Sequence, residues 1–220
     1  MKYKHVAWDW NGTILNDCLA CAMAVDKMFR RRSLGSVSME EYQKRITFPV
    51  INLYYQSGFD FEKESYTDVC DEYIANYRDN KDLVSIHKDA PKVLSEFSRR
   101  GLRQHIISAS EQGLLEEQVR EYGLYDYFDT IFGQKDHQAD SKLHLAQRLV
   151  AEMGCDPKEV LFIGDTTHDY EVATEAGFDC VLIANGHCSR ERLVETGAPV
   201  FSKLEELLQS EILRCEGGNR

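Results

Sequence analysis

The chain has 220 residues, 43% hydrophobic and 29% charged, enough for one well-buried core with a sizeable insertion or for two modest domains. Its 37 acidic against 26 basic side chains leave a formal net charge of −11, which argues against a nucleic-acid partner. No apolar run approaches the ~20 residues of a membrane helix, and Met-Lys-Tyr-Lys-His-Val lacks the apolar core of a signal peptide, so no membrane partner and a cytoplasmic location are expected.

The first predicted element is a buried strand at His5-Val6-Ala7, running into Trp8-Asp9-Trp10-Asn11-Gly12-Thr13. In open α/β sheets chemistry sits beyond the carboxyl ends of the strands, where Asp9 would project. Gly12 permits a sharp turn, and Thr13 is able to bond the carboxylate or a neighbouring main-chain group. Taken alone, an ordinary Asn-Gly turn explains the same residues.

From about residue 17 to 82 the pattern is helical, with Cys18, Cys21/Ala22, Val25 and Met28/Phe29 at helical spacing, and later Tyr66, Val69/Cys70, Tyr73 and Tyr77. Ser38 with Glu41 three residues on reads as a capping box opening a further helix. Gly35, Pro49 and Gly58 punctuate the segment, and its tyrosines read as packing residues. Cys18 and Cys21 form a C-x-x-C, the signature of a redox pair or half a zinc site. No second such pair accompanies it and the total of seven cysteines is odd, so packing is the expected role.

After residue 82 strands and helices alternate. Asp89-Ala-Pro91 opens a helix that Gly101 closes, and Gln104 to Ser108 is a buried strand. A helix over 111–122, a strand at Thr130-Ile-Phe132, a helix from Ser141 to Met153 and a strand at Val160 to Ile163 follow. The spacing then predicts a helix over Tyr170 to Ala176, a strand at Val181-Leu-Ile183 and a last helix from Lys203 to Leu213, before a frayed Gly-Gly tail. This order implies a doubly wound, Rossmann-like parallel sheet, with the helical stretch inserted after strand one.

Polar residues of defined kinds stand at four strand or helix ends: Asp9 with Asn11, Ser108 in Ile107-Ser108-Ala109-Ser110, Lys142, and Asp165 with Asp169 in Gly-Asp-Thr-Thr-His-Asp. Together they supply a nucleophilic carboxylate, a phosphate-binding hydroxyl, an ammonium and an acidic metal pair. Phosphoryl transfer through an aspartyl-phosphate needs these parts, because charge stabilisation and in-line geometry carry most of its catalysis. Separately, each has a bland explanation, such as carboxylates dressing a helix N-terminus.

The four motifs D-W-N-G-T, I-I-S-A-S, D-S-K-L and G-D-T-T-H-D, in this order, make the chain resemble the haloacid dehalogenase-like hydrolases, in particular their helical-cap, phosphoglycolate phosphatase-like branch. The resemblance covers residues 1–15 and about 83–213. It implies a catalytic core over 1–15 and 83–220, and an all-helical cap over 16–82. The stretch from Phe132 to Lys142 is too short for a second cap. It also implies that Asp9 is the nucleophile, and that Asp9, the backbone carbonyl of Asn11 and Asp165 hold Mg²⁺. Asp169 would support the metal through water or orient Lys142. Ser108, Ala109, Lys142 and Thr13 would contact the phosphoryl group. A closed cap fits a small phosphorylated substrate, and within it the run from Arg45 to Tyr55 either reads the substrate, through Arg45, or merely connects helices.

The resemblance departs at Asn11, where the family's phosphatases carry Asp as general acid and base. An amide does neither, and general acid–base help is typically worth ~10²–10⁴-fold. The expected activity is therefore a Mg²⁺-dependent phosphatase of a small metabolite. The alternatives are a dehalogenase-type hydrolase and a phospho-ligand-binding protein with weakened turnover. The sequence assigns no oligomeric state.

Overall fold

A computed structural model describes residues 2–135 and 142–213. Its centre is a six-stranded parallel sheet in the order β5-β4-β1-β6-β7-β8. The strands are β1 (His5–Trp8), β4 (Arg103–Glu111), β5 (Thr130–Gln134), β6 (Val160–Gly164), β7 (Asp179–Ile183) and β8 (Val200–Phe201). β1 lies between β4 and β6, with Trp8 opposite Ile106 on one side and Ile163 on the other. The chain moves outward from β1 to β4 and β5, then crosses to β6. Strand direction of winding reverses there, so a crevice opens beyond the carboxyl end of β1.

The period-2 alternation of β1 explains both layers. Val6 and Trp8 face one side, with Ile106, Leu161 and Ile163, against α5 (Ala90–Arg99) and α6 (Gln112–Glu121). Ala7 faces the other, with Ile107 and Phe162, against α7 (Leu143–Met153) and α8 (Thr167–Ala176). Each large apolar side chain so buried contributes about 1.5–3 kcal/mol. Trp8 also carries an N–H, which donates to Gln104 Oε1 at 3.1 Å, while Gln104 Nε2 donates to the Leu94 carbonyl at 2.9 Å. The buried polar atoms of this layer are thereby satisfied.

A short strand β2 (Leu15–Asn16) pairs antiparallel with β3 (Ser85–Ile86), closing the loop through which the helical segment is inserted. Between them run α1 (Cys18–Arg31), α2 (Met39–Arg45), α3 (Ile51–Ser57) and α4 (Tyr66–Asp79). These helices share an apolar cluster that includes Val25, Phe29, Tyr54, Phe59 and Val69. Arg32 ties α1 to α4: its Nε donates to Glu64 at 2.6 Å, its Nη2 donates to Glu72 at 2.6 Å, and its guanidinium lies 4.3 Å from the Phe59 ring centre. Ser38 caps α2 in the capping box expected from the sequence.

Two expected elements differ. α8 begins at Thr167 rather than Tyr170, because the Thr166 side chain accepts from the Asp169 N–H and Asp169 returns the bond to the Thr166 N–H. The helix expected over 203–213 is instead two 3₁₀ segments, Leu204–Gln209 and Glu211–Leu213. Buried Leu204 and Leu207 are three residues apart, a spacing that suits three residues per turn. β8 and α9 (Arg190–Glu195) were not anticipated. Ser141, most of the stretch from Phe132 to Lys142 and the Gly-Gly tail lie outside the described residues. Among the described residues no helix is long and apolar enough to cross a membrane.

Candidate active site

The Asp9 N–H continues the sheet ladder by donating to the Ile163 carbonyl at 2.9 Å, which fixes Asp9 at the mouth of the crevice. By the alternation of β1 its side chain falls on the Ala7 side, where α7 and α8 begin. There Lys142 Nζ lies 2.6 Å from Asp9 Oδ1 and 2.6 Å from Asp169 Oδ1. Asp169 is held independently by its cap, since its Oδ2 accepts from the N–H groups of Asp165 and Thr166. The lysine is thus aimed by a helix terminus rather than by its own flexible stem.

Asp165 follows β6 and is fully buried. Its Oδ1 accepts from Thr13 Oγ1 at 2.7 Å and its Oδ2 from the His187 N–H at 2.6 Å. Two glycines make this possible. A Cβ on Gly12, whose φ is +78°, would sit 2.2 Å from Asp165 Oδ2, and one on Gly186 2.1 Å from it. Bare backbone therefore forms a cradle on two sides of the carboxylate.

Oxygens of Asp9, Asp165 and Asp169 all lie within 4.8 Å of one another. Burial pushes the Asp9 carboxyl well above the ordinary range, with Lys142 opposing and Asp169 and Asp165 adding to the rise. Asp165 is also pushed up by burial, against the pull of His187. Asp169 goes the other way: burial alone would raise it, but Lys142 and Thr166 outweigh that. Three carboxylates against one ammonium form a buried cluster of hard oxygen donors with surplus negative charge. Those donors fit an oxygen-liganded divalent cation, which would relieve the repulsion.

Asn11 is the hinge of a second cluster. Its Nδ2 donates to Asp17 Oδ2 at 2.7 Å, and its Oδ1 accepts from Ser110 Oγ at 2.6 Å. Asp17 Oδ1 also accepts from the Gly12 N–H at 3.0 Å and faces His187 Nε2 at 3.3 Å. The other ring nitrogen of His187 meets the Tyr42 hydroxyl at 2.9 Å. Burial would raise Asp17, yet His187 and Asn11 bring it down. His187 is held well up despite its burial, by Cys18, Tyr42 and Asp17. The pair sets an imidazole nitrogen 3.3 Å from a buried carboxylate oxygen. Cys18 belongs to the same group, while Cys21 donates from Sγ to Asp17 at 3.5 Å; both thiols are free.

These clusters lie along a half-open cavity of about 330 Å³. Asp9, Asn11, Ser108, Ala109 and Lys142 line it, and Ile46, Phe48, Val50, Leu53 and Tyr54 from the Arg45–Tyr55 run form part of its opposite wall. Phe48 stacks on His168 with ring centres 5.3 Å apart, and among the described residues His168 Nε2 has no hydrogen-bond partner. Ser108 is buried, and its Oγ accepts from the Ser110 N–H. Two expected contacts fall elsewhere. Thr13 is fully buried behind the cavity with its hydroxyl on Asp165, because the Gly12 turn swings it towards the end of β6. Arg45 is absent from the lining: α2 turns Tyr42 inward and leaves the Arg45 side chain half exposed beside Glu41. Asp17 and His187 were not singled out from the sequence, although His187 follows the end of β7 and the strand-end rule that found Asp9 applies to it equally.

The chain is similar to known proteins in sequence and in fold. Pyrophosphatase PpaX of Bacillus velezensis is 27% identical over 127 residues, 55% of this chain and 56% of that protein. A phosphoglycolate phosphatase of Synechococcus elongatus is 29% identical over 46% of this chain and 47% of that protein. The chain thus spans about half the length of these curated relatives. CbbY from Rhodobacter sphaeroides, solved in complex with phosphate, shares the fold with a TM-score of 0.72 over 93% of this chain and 96% of that one, at 16% identity. The family model described as haloacid dehalogenase-like hydrolase matches residues 6–183, so the chain belongs to the haloacid dehalogenase-like hydrolases.

Proposed function

We propose that the protein is a Mg²⁺-dependent phosphatase of a small phosphorylated metabolite, with residues 16–82 as a cap over a core formed by 1–15 and 83–220. The observation that carries this reading is the ion-paired Asp9–Lys142–Asp169 cluster, with Asp165 beside it, at a half-open cavity of about 330 Å³. Asp9, Asp165 and the Asn11 carbonyl would hold Mg²⁺, with Asp169 in support. When bound, the ion would neutralise phosphoryl oxygens and the carboxylates around them.

An Asp9 oxygen attacks phosphorus, forming a P–O bond as the bond to the leaving oxygen breaks with its electron pair. Lys142 and Ser108 hold phosphoryl oxygens and oppose the developing charge. Water then attacks the aspartyl-phosphate, releasing inorganic phosphate and restoring Asp9. Asn11 has no carboxyl proton for the leaving group, which must take its proton from water or leave as an anion. That same amide, fixed between Asp17 and Ser110, favours a second reading: a phospho-ligand-binding protein with slow turnover. A metal-free dehalogenase is disfavoured by the intact Asp165–Asp169 pair. The free thiols suit the cytoplasm.

The test is a Mg²⁺-supplemented screen of phosphorylated metabolites for phosphate release, repeated in EDTA and with Asp9→Asn. Turnover should vanish in both controls. Release that survives either of them removes Asp9 or the metal from the mechanism. Tight phosphate binding without turnover selects the second reading.

A further inference from the structure

Resting on the phosphatase reading, we infer that the substrate is a small phosphate monoester with an uncharged aromatic leaving group. The cavity runs from Asp9 and Lys142 to a wall of Val25, Ile46, Leu53, Tyr54, Tyr73 and Ile74. Its volume of about 330 Å³ is of the size that encloses a small ligand. The tyrosines are presented as rings. Tyr73 donates its hydroxyl to Cys21 at 3.1 Å, Tyr77 to Asp17 at 3.3 Å, and Tyr42 meets His187. Tyr73 and Tyr77 lie stacked, 6.2 Å between centres. Such a wall offers edge and face contacts to another ring, with each of these three hydroxyls already in contact with a protein partner.

The charges point the same way. A leaving group bearing a carboxylate, as in phosphoglycolate, needs a cation at the far end of the cavity. Lys142 is already shared by Asp9 and Asp169, and Arg45 lies outside the lining. Of the other basic lining residues, Arg78 and Lys81 are exposed beside the equally exposed Glu117 and Glu121, His187 is taken up by Asp17 and Tyr42, and His168 lies against Phe48 and Glu171. A second anion seated against the apolar wall would therefore meet hydrocarbon and ring surfaces rather than a dedicated cation.

Asn11 is an independent third observation. Without a carboxylic acid at this position, a leaving group departs most easily when its conjugate acid is strong. A phenol, with a pKa of about 10 like tyrosine's, leaves without a proton far better than an alkoxide near the ~15.7 of water.

The experiment uses the full-length protein with Mg²⁺ and matched esters. Benzyl phosphate, ethyl phosphate and phosphoglycolate all release alkoxides and differ at the far end. Benzyl phosphate should exceed ethyl phosphate about tenfold or more in kcat/KM, mainly through KM, as burying a ring of phenylalanine size gives. Phosphoglycolate should be no better than ethyl phosphate, and phenyl phosphate should be fastest in kcat. Phosphoglycolate matching or exceeding benzyl phosphate overturns the inference. Ile74→Arg places a cation on the α4 wall and should lower the benzyl-to-phosphoglycolate ratio at least tenfold; Val50→Lys serves if that variant does not fold. An unchanged ratio in a folded variant also overturns the inference. Acetyl phosphate, which leaves the far end of the cavity empty, separates the two proposals. If it is hydrolysed in an Asp9-dependent way while ring esters gain nothing, only the substrate class falls. If nothing is hydrolysed, the phosphatase reading falls. The cavity is then read by calorimetry with 2-phenylethylphosphonate against 3-phosphonopropionate: tighter binding of the ring compound sustains the aromatic preference, and equal or weaker binding ends it.

Discussion

Replacing Asn11 by Asp restores the D-x-D-G-T of the family's phosphatases, but in this chain it also puts a second carboxylate against Asp17. The amide nitrogen that contacts Asp17 Oδ2 at 2.7 Å becomes an oxygen, and an attractive contact becomes repulsive. Two unit charges with centres ~4 Å apart repel by about 4 kcal/mol at an effective dielectric of ~20. Asp17 remains the ionised partner, since His187 still faces it and lowers its pKa. The new carboxyl therefore keeps its proton well above the pH at which it ionises in the unfolded chain. The folded state then binds more protons than the unfolded state, so stability falls as pH rises. Urea denaturation in EDTA should show Asn11→Asp close to wild type below about pH 4, weaker by about 1.5 kcal/mol at pH 5 and by up to about 4 kcal/mol at pH 9. Asn11→Asp with Asp17→Asn exchanges the two groups, and the pair should be less destabilised than the sum of the single variants by at least about 2 kcal/mol at pH 9. Below its titration the variant also holds a carboxyl proton in the cavity lining that the natural chain lacks, so alkyl phosphate hydrolysis should rise at low pH and not at high pH. Residue 11 must be verified by peptide mass spectrometry, because Asn-Gly deamidates spontaneously. A pH-independent loss with additive variants would refute the reasoning.

Lys142→Met leaves Asp9 and Asp169 buried without their cation, and should cost about 3–5 kcal/mol in EDTA near neutral pH and less in acid; calorimetric melts at the two pH values check this. The same variant should slow phosphate release about 10²–10³-fold, read in the Mg²⁺-supplemented assay. Gly12→Ala drives a Cβ to 2.2 Å from Asp165 Oδ2 at a positive φ, whereas Gly35→Ala has a similar φ and nothing within 4 Å. Urea midpoints should therefore show Gly35→Ala costing about 1 kcal/mol and Gly12→Ala clearly more, with loss of phosphate release only in the latter. Burial pushes the His105 imidazole down to about 4, so between pH 6.5 and 4 the unfolded chain takes up a proton that the folded one refuses. Stability should fall by about 3 kcal/mol over that acid range, and His105→Gln should flatten the slope in pH-dependent urea titrations.

The sequence alone determined the features whose causes are local. β1, β4 and β6 are short apolar runs, and a carboxylate or hydroxyl just past such a run sits at the sheet's carboxyl edge whatever the rest of the chain does. The Ser38 capping box is equally local, since both partners lie within one turn. The start of α8 was missed because its first turn, Thr-His-Asp, has no apolar period and its cap uses Asp in place of the usual Glu. The terminal leucines fit two helix periods, and only packing under α5 selected the tighter one. Tertiary structure decided the rest. Asp17 and His187 are brought together only because β7 lies two places from β1 in the sheet order, which no local pattern encodes. Arg45 and Tyr42 share one short helix, and no local pattern tells which of them faces the cavity. That depended on where α2 docks, because a helix's buried side is chosen by its partner surface as well as by its own periodicity.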